Sequence, residues 1–209
     1  MKPGVKILSL VAAFLLAAGA ASAQSQKSEP RLKVDPLDKF RDAAIESARG
    51  NPDVAARQLT NADPLVRQRA AEELARLAPA DKRKLVEGYR LQEKNERVRL
   101  ALDWALFRLG KPEALYAVVR ALGTNRYNQS QTYLAGLDSP AALHDFLARA
   151  KGDALPRLLE VLARVGDSAT LDKIKPYTSS NNPQVADAAR FAEREITRRL
   201  NGTANNTRQ

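Results

Sequence analysis

NERVRLALDWALFRLGKPEAL, residues 95–115, ends in a phrase that returns twice. GKPEAL at 110–115 is followed by DSPAAL at 138–143 and GDSATL at 166–171, each copy starting 28 residues after the last (138 − 110 and 166 − 138). The same interval aligns apolar residues in columns: Leu106, Leu134 and Leu162, then Leu109, Leu137 and Val165. On the other side of the phrase fall Leu115, Leu143 and Leu171, then Val118, Phe146 and Ile174. An earlier copy lies 32 residues upstream, where Leu74 and Leu77 precede Leu106 and Leu109, and Val66-Arg67 precedes Val98-Arg99. Within each copy the apolar positions fall at i, i+3, i+4, the period of a helix that buries one stripe.

The punctuation agrees. Asn51-Pro52, Asp63-Pro64, Ser139-Pro140 and Asn182-Pro183 each set a capping side chain before a proline. Such a pair satisfies an orphan N–H and presets the first helical turn. Glycines at 50, 110, 123, 152 and 166 fall between the stripes, where helices end. No alternation of period two interrupts this, so the expectation is all-α: ten or eleven short helices between Pro36 and Leu200, paired about five times. A helix pair of 28 to 32 residues cannot bury its apolar face alone and must stack on its neighbours.

Residues 63–77, DPLVRQRAAEELARL, and 95–110, NERVRLALDWALFRLG, resemble the HEAT repeats. They are similar above all to the short HEAT-like repeats named after phycobilisome lyases: an acidic or Asn turn, then Val-Arg, small residues and paired leucines. The resemblance extends over most of 50–200. It weakens at 181–200 and is faint at 124–137, which lacks Val-Arg. It implies a right-handed α-solenoid used mainly for protein binding, with the Val-Arg helix second in each pair and lining the concave side. Arg67 and Arg99 would bond turn acids or carbonyls of adjacent repeats.

Residues 1–23 carry Lys2 and Lys6, the apolar run ILSLVAAFLLAAGA, and Ala21-Ser22-Ala23, the pattern of a cleavable signal peptide. The mature chain is then expected to begin near Gln24 and to work in the periplasm or outside the cell, without a membrane span of its own. No cysteine is available for lipid attachment, disulfides or metal. Residues 24–35 and 201–209 are polar and read as a disordered linker and tail around a solenoid at 36–200. Removing Lys2 and Lys6 from 34 basic residues leaves 32 against 24 acids, or +8. An exported basic protein can meet anionic lipids, envelope polymers or acidic proteins, while nucleic acid is not an expected partner there.

Catalytic patterns are scarce. The single histidine, His144, has no second His or Cys to form a metal set or triad, and no P-loop, GxGxxG, HExxH or GxSxG occurs. No enzyme and no cofactor are expected; the bilin attachment implied by the lyase name does not suit an exported chain. Three stretches are candidates for binding instead. Leu100, Trp104 and Phe107 share one helical face and stand where the preceding copy holds Gln68, Glu72 and Ala75, so an aromatic anchor patch is expected at mid-solenoid. Tyr127, Asn128, Gln131 and Tyr133, in the polar stretch 123–133, form an adaptable contact surface. Lys82, Arg83, Lys84, Arg90, Lys94 and Arg97 form a basic cluster for an anionic surface. The favoured expectation is a scaffold that binds an exported protein or peptide through its groove. Adsorption to anionic polymers or lipids is the alternative.

Overall fold

The computed structural model describes residues 36–206, so the expected signal segment 1–23 and linker 24–35 lie outside the described residues. Eleven α-helices and no strand occur among the described residues. They are α1 (Pro36–Ala48), α2 (Pro52–Gln58), α3 (Pro64–Leu77), α4 (Arg83–Gln92), α5 (Glu96–Arg108), α6 (Leu115–Ala121), α7 (Tyr127–Leu134), α8 (Ala141–His144), α9 (Ala154–Val165), α10 (Ser168–Ile174) and α11 (Pro183–Asn206). Short 3-10 turns at Ala80–Lys82, Pro112–Ala114 and Lys175–Ser179 join several of them. Beyond α1, the helices form five successive pairs, and the odd-numbered second helices α3, α5, α7, α9 and α11 carry most of the core. The fold is an all-α, HEAT-like helical repeat. Helix α11 runs on to Asn206, into the segment that the sequence reading assigns to the tail.

The caps form as their residues dictate. Asn51 Oδ1 accepts from the amides of Asp53 and Val54 at 3.1 Å, and Asp63 Oδ1 accepts from Leu65 at 2.8 Å. Asn95 and Asn182 do the same for α5 and α11. The repeat columns supply much of the core: Leu74, Leu134, Leu143, Leu162 and Ile174 are all fully buried, as are Leu158 and Leu159 on α9. On the last helix Val185, Ala188, Ala189, Ala192 and Ile196 face inward. At Gly166 an added Cβ would lie 2.6 Å from Ile196 Cδ1, so this glycine lets α11 close over the end of α9.

Arginines tie the repeats together. Arg67 donates from Nε and Nη2 to the two carboxylate oxygens of Glu93, at 2.8 and 3.1 Å, and from Nη1 to the carbonyls of Asn61 and Ala62. The Glu93 side chain is only 9% exposed, and its Oε1 also accepts from the Asn95 amide. Arg99, one repeat later, makes no comparable bond and is exposed. Two arginines outside that column do similar work. Arg157 donates to the Leu122 carbonyl at 2.6 Å, and Arg199 donates to the carbonyls of Ala163, Arg164 and Gly166. These are the last carbonyls of α6 and α9, which have no partner within their own helices.

The Arg67 guanidinium holds the Glu93 carboxyl below its ordinary range, overcoming the desolvation that pulls the other way. A depressed carboxylate stabilises the fold above its unfolded pKa, and that contribution is lost as pH falls through the folded value. Glu93→Gln should therefore cost about 1.5–3 kcal/mol at neutral pH, the range for hydrogen bonds to charged groups. The gap between wild type and variant should close as the pH drops below the ordinary 4.5. Urea denaturation of both chains across that range checks this; a gap independent of pH would refute the pairing.

Candidate binding surfaces

The expected aromatic patch is not on the surface. Leu100 and Trp104 are 5% and 8% exposed, and Phe107 is half-buried. The cover comes from α7. Tyr133 lies nearly parallel to Trp104, with ring centroids 5.7 Å apart and planes 6° apart, while Phe107 packs against Trp104 at 5.5 Å. Arg108 sits 5.8 Å from the centre of the Trp104 ring. Beyond Trp104, the Tyr133 hydroxyl donates to Glu72 Oε1 on α3 at 2.6 Å and accepts from Gln129 at 2.7 Å. Burial, with the nearby Glu72 carboxylate, pushes the Tyr133 phenol well above its ordinary range, so it remains a donor. As an exposed anchor set, Leu100, Trp104 and Phe107 are corrected: they belong to the core, because one tyrosine of the next repeat closes over them.

Tyr133 thereby leaves the second candidate set. Its companions stay at the surface. Tyr127 is 38% exposed with the Arg157 guanidinium 4.3 Å from its ring centre, Asn128 is exposed, and Gln131 is half-buried.

The basic cluster is also divided. Arg90 is consumed inside the fold, forking onto both oxygens of Asp103 at 2.6 and 2.9 Å. Asp103 is 8% exposed, and burial raises its carboxyl pKa against the pull of Arg90. Lys82 Nζ is held by Asp53 at 2.6 Å and by Asp81 at 3.0 Å. As one contiguous patch the six residues are therefore corrected. Arg83, Lys84, Lys94 and Arg97 remain exposed and outside any ion pair among the described residues.

A wider opening lies elsewhere, on the second-helix side of the C-terminal repeats. A groove of about 1040 Å³ runs between α7, α9 and α11 and reaches Gln131 on α7. Pro156, Ala163 and Ala188 contribute apolar lining, and Phe191, 44% exposed, adds an aromatic ring. Two of its arginines, Arg157 and Arg199, are fixed by carbonyls. Asp187 and Glu195 pair with Arg190 and Arg198. Asp153, Glu160 and Arg164 line the groove without an ion pair among the described residues, and the carbonyl-bound Arg157 and Arg199 keep their positive charge there. The sequence reading missed Phe191. Its signal was one ring on the stripe Gln184, Asp187, Ala188, Phe191, Glu195, which is otherwise small or polar.

His144, half-buried, meets Thr170 Oγ1 at 2.9 Å through Nε2. Thr170 in turn donates its hydroxyl and amide to Asp167 Oδ1, and its Oγ1 accepts from the Asp167 amide at 3.1 Å, which closes the capping box of α10. Burial alone would raise the Asp167 carboxyl, but these two bonds bring it below its ordinary value. The trio ties α8 to the start of α10, with a fully buried threonine at its centre.

The family model of HEAT repeats matches residues 52–135, from the first residue of α2 to just past α7. The match supports the HEAT assignment for that stretch, and such repeats commonly serve as protein-interaction scaffolds. No curated protein matches the chain. Among the described residues no helix is long and apolar enough to cross a membrane, and no three His, Asp or Glu side chains form a metal-ligand set.

Truncating Trp104 tests its burial directly. Trp104→Ala should cost about 3–5 kcal/mol, as large aromatic truncations in cores do. The native chain's single tryptophan should emit in the blue and resist acrylamide. Strong quenching together with an unchanged melting temperature would contradict this packing.

Proposed function

We propose that the protein is an exported, non-catalytic scaffold that binds a protein or peptide segment in the groove between α7, α9 and α11. The observation that carries this reading is the groove's mixed lining: an exposed Phe191 beside apolar Pro156 and Ala188, flanked by the unpaired carboxylates of Asp153 and Glu160. An exposed aromatic among apolar walls is the kind of group that anchors interfaces. Free carboxylates at the rim set charge preference more than raw affinity. The occupant that fits is a segment with an apolar side chain for Phe191 and a Lys or Arg for Glu160. The HEAT match supports a protein partner in general, although the groove lies mostly beyond the matched stretch, with Gln131 as its only residue inside it. Export rests on the sequence of residues 1–23.

The alternative, adsorption to anionic envelope polymers or lipids, draws on the net charge and on Arg83, Lys84, Lys94 and Arg97, which are free to serve it. Salt separates the two readings, since exposed charges are largely screened by about 0.3 M salt.

Immobilised mature chain should retain a purified envelope partner above that salt concentration, and Phe191→Asp and Glu160→Lys should each abolish retention without moving the melting temperature. Glu160 is exposed and Phe191 is 44% exposed, so the fold should tolerate both changes. Retention that vanishes with salt and ignores both substitutions would transfer the function to the free lysines and arginines. Export has its own check. N-terminal sequencing of the protein from the envelope fraction should begin at Gln24, and an unprocessed cytosolic chain would refute it.

A further inference from the structure

A second recess opens on the other side of the mid-chain repeats, among first helices. It has a volume of about 420 Å³, within the range of small-ligand sites, and lies between α6, the segment following α8, and the start of α9. Its apolar wall is Val119, Ala150 and Ala154, and two rings flank it. Tyr116, 48% exposed, and Phe146, half-buried, stand 6.4 Å apart at 33°. The Arg149 guanidinium lies 5.4 Å from the Tyr116 ring centre and 5.7 Å from that of Phe146.

The charges of this recess are all of one sign. Arg120, Arg149 and Lys151 line it, and no acidic residue does. All three are exposed, and none makes an ion pair with a described residue. Arg67, Lys82, Arg90, Arg108 and Lys111, by contrast, each have a carboxylate within 3 Å. The two rings hold the guanidinium of Arg149 beside the recess, and a guanidinium presents its N–H edge to an in-plane oxyanion, the geometry that arginine uses for carboxylates. A cation held over two rings is also less mobile, so less entropy is lost when it binds.

From this lining we infer that the recess captures the C-terminal carboxylate of a peptide whose last residue is apolar. The carboxylate meets Arg149, supported by Arg120 and Lys151. The apolar side chain enters between Phe146 and Val119, a volume that accepts one residue and not a folded element. A membrane surface fits less well. It would need cations spread over a flat or convex face with apolar side chains projecting, whereas here the apolar atoms form the wall of a hollow. The site is separate from the α7–α9–α11 groove and does not rest on it.

The test uses the mature chain and N-acetyl-leucine as probe, with N-acetyl-leucinamide and phosphatidylglycerol vesicles in parallel arms. Backbone amide resonances of Gly123, Thr124, Ala150 and Lys151 should shift with millimolar N-acetyl-leucine and not with the amide. Arg149→Gln should weaken that binding about tenfold, a loss of about 1.4 kcal/mol. Arg149→Lys should recover only part of it, because the fork is lost while the charge is kept. Phe191→Asp, in the other groove, should leave it unchanged. Equal shifts with the amide, or none with either compound, would overturn the inference. So would vesicle binding that depends on Arg149 and Lys151 in the absence of N-acetyl-leucine binding, which would assign the recess to a lipid headgroup.

Discussion

An arginine reaching into the turn of a neighbouring repeat is the interaction on which the stack depends. A helix ends with carbonyls that have no partner within it, and burying them uncompensated costs free energy of the order of a lost hydrogen bond each. Arg199 takes three such carbonyls at the end of α9, and Arg157 takes the Leu122 carbonyl at the end of α6. Arg67 takes the carbonyls of Asn61 and Ala62 in the turn between α2 and α3 and adds a fork onto Glu93. Each guanidinium stays charged at any relevant pH and brings five donors in a fixed plane. One side chain can therefore close a junction that would otherwise need water. In a chain with no cysteine, packing and these junctions carry the stability.

The stack is uneven. Helices α3 and α5 pack along much of their length, as do α9 and α11, whereas α7 touches α5 and α9 only briefly. The reason is length: α5 has 13 residues and α9 has 12, but α7 has 8 and α8 has 4. So short a second helix cannot cover Trp104 with a continuous stripe. Tyr133 does it with one ring, and its hydroxyl bridges to Glu72, 61 residues earlier in the chain and two second helices away. A tyrosine suits that position because its face is apolar enough for a tryptophan and its tip still donates a hydrogen bond.

The architecture was legible because a periodic stripe and a cap are local signals. Leu106, Leu134 and Leu162 are 4%, 0% and 0% exposed, and the caps at Asn51, Asp63 and Asn182 form where capping residue and proline stand together. The junctions were legible only in part. Arg67 acts as its column implies, but Arg99 in the same column does not, and Arg157 and Arg199 act from positions the column does not mark. Such an arginine needs only reach, and a long side chain finds a carbonyl from several registers. Trp104 was ambiguous for another reason. A helix that is apolar all round reads alike whether it meets a partner or its own chain, and the deciding ring lies 29 residues away (133 − 104). The basic cluster failed because charge runs give no sign of which members have acids waiting. Asp53 and Asp103, which occupy Lys82 and Arg90, come from other helices.

Both openings in the surface follow from the same irregular pair of helices. Because α7 is short, the flank of α9 that a full second helix would cover stays open towards α11, and that opening is the groove with Phe191. Because α8 is a single turn, Phe146 and Arg149 fall in the irregular segment after it, and the recess beside α6 remains unfilled. A regular solenoid buries its repeats against one another and keeps its chemistry on the outside of a uniform ribbon. Here the departures from the repeat create concavities, and they differ in lining: the groove mixes carboxylates with guanidiniums, whereas only cations line the recess. A net charge of +10 alone would give only a diffuse attraction to any anion.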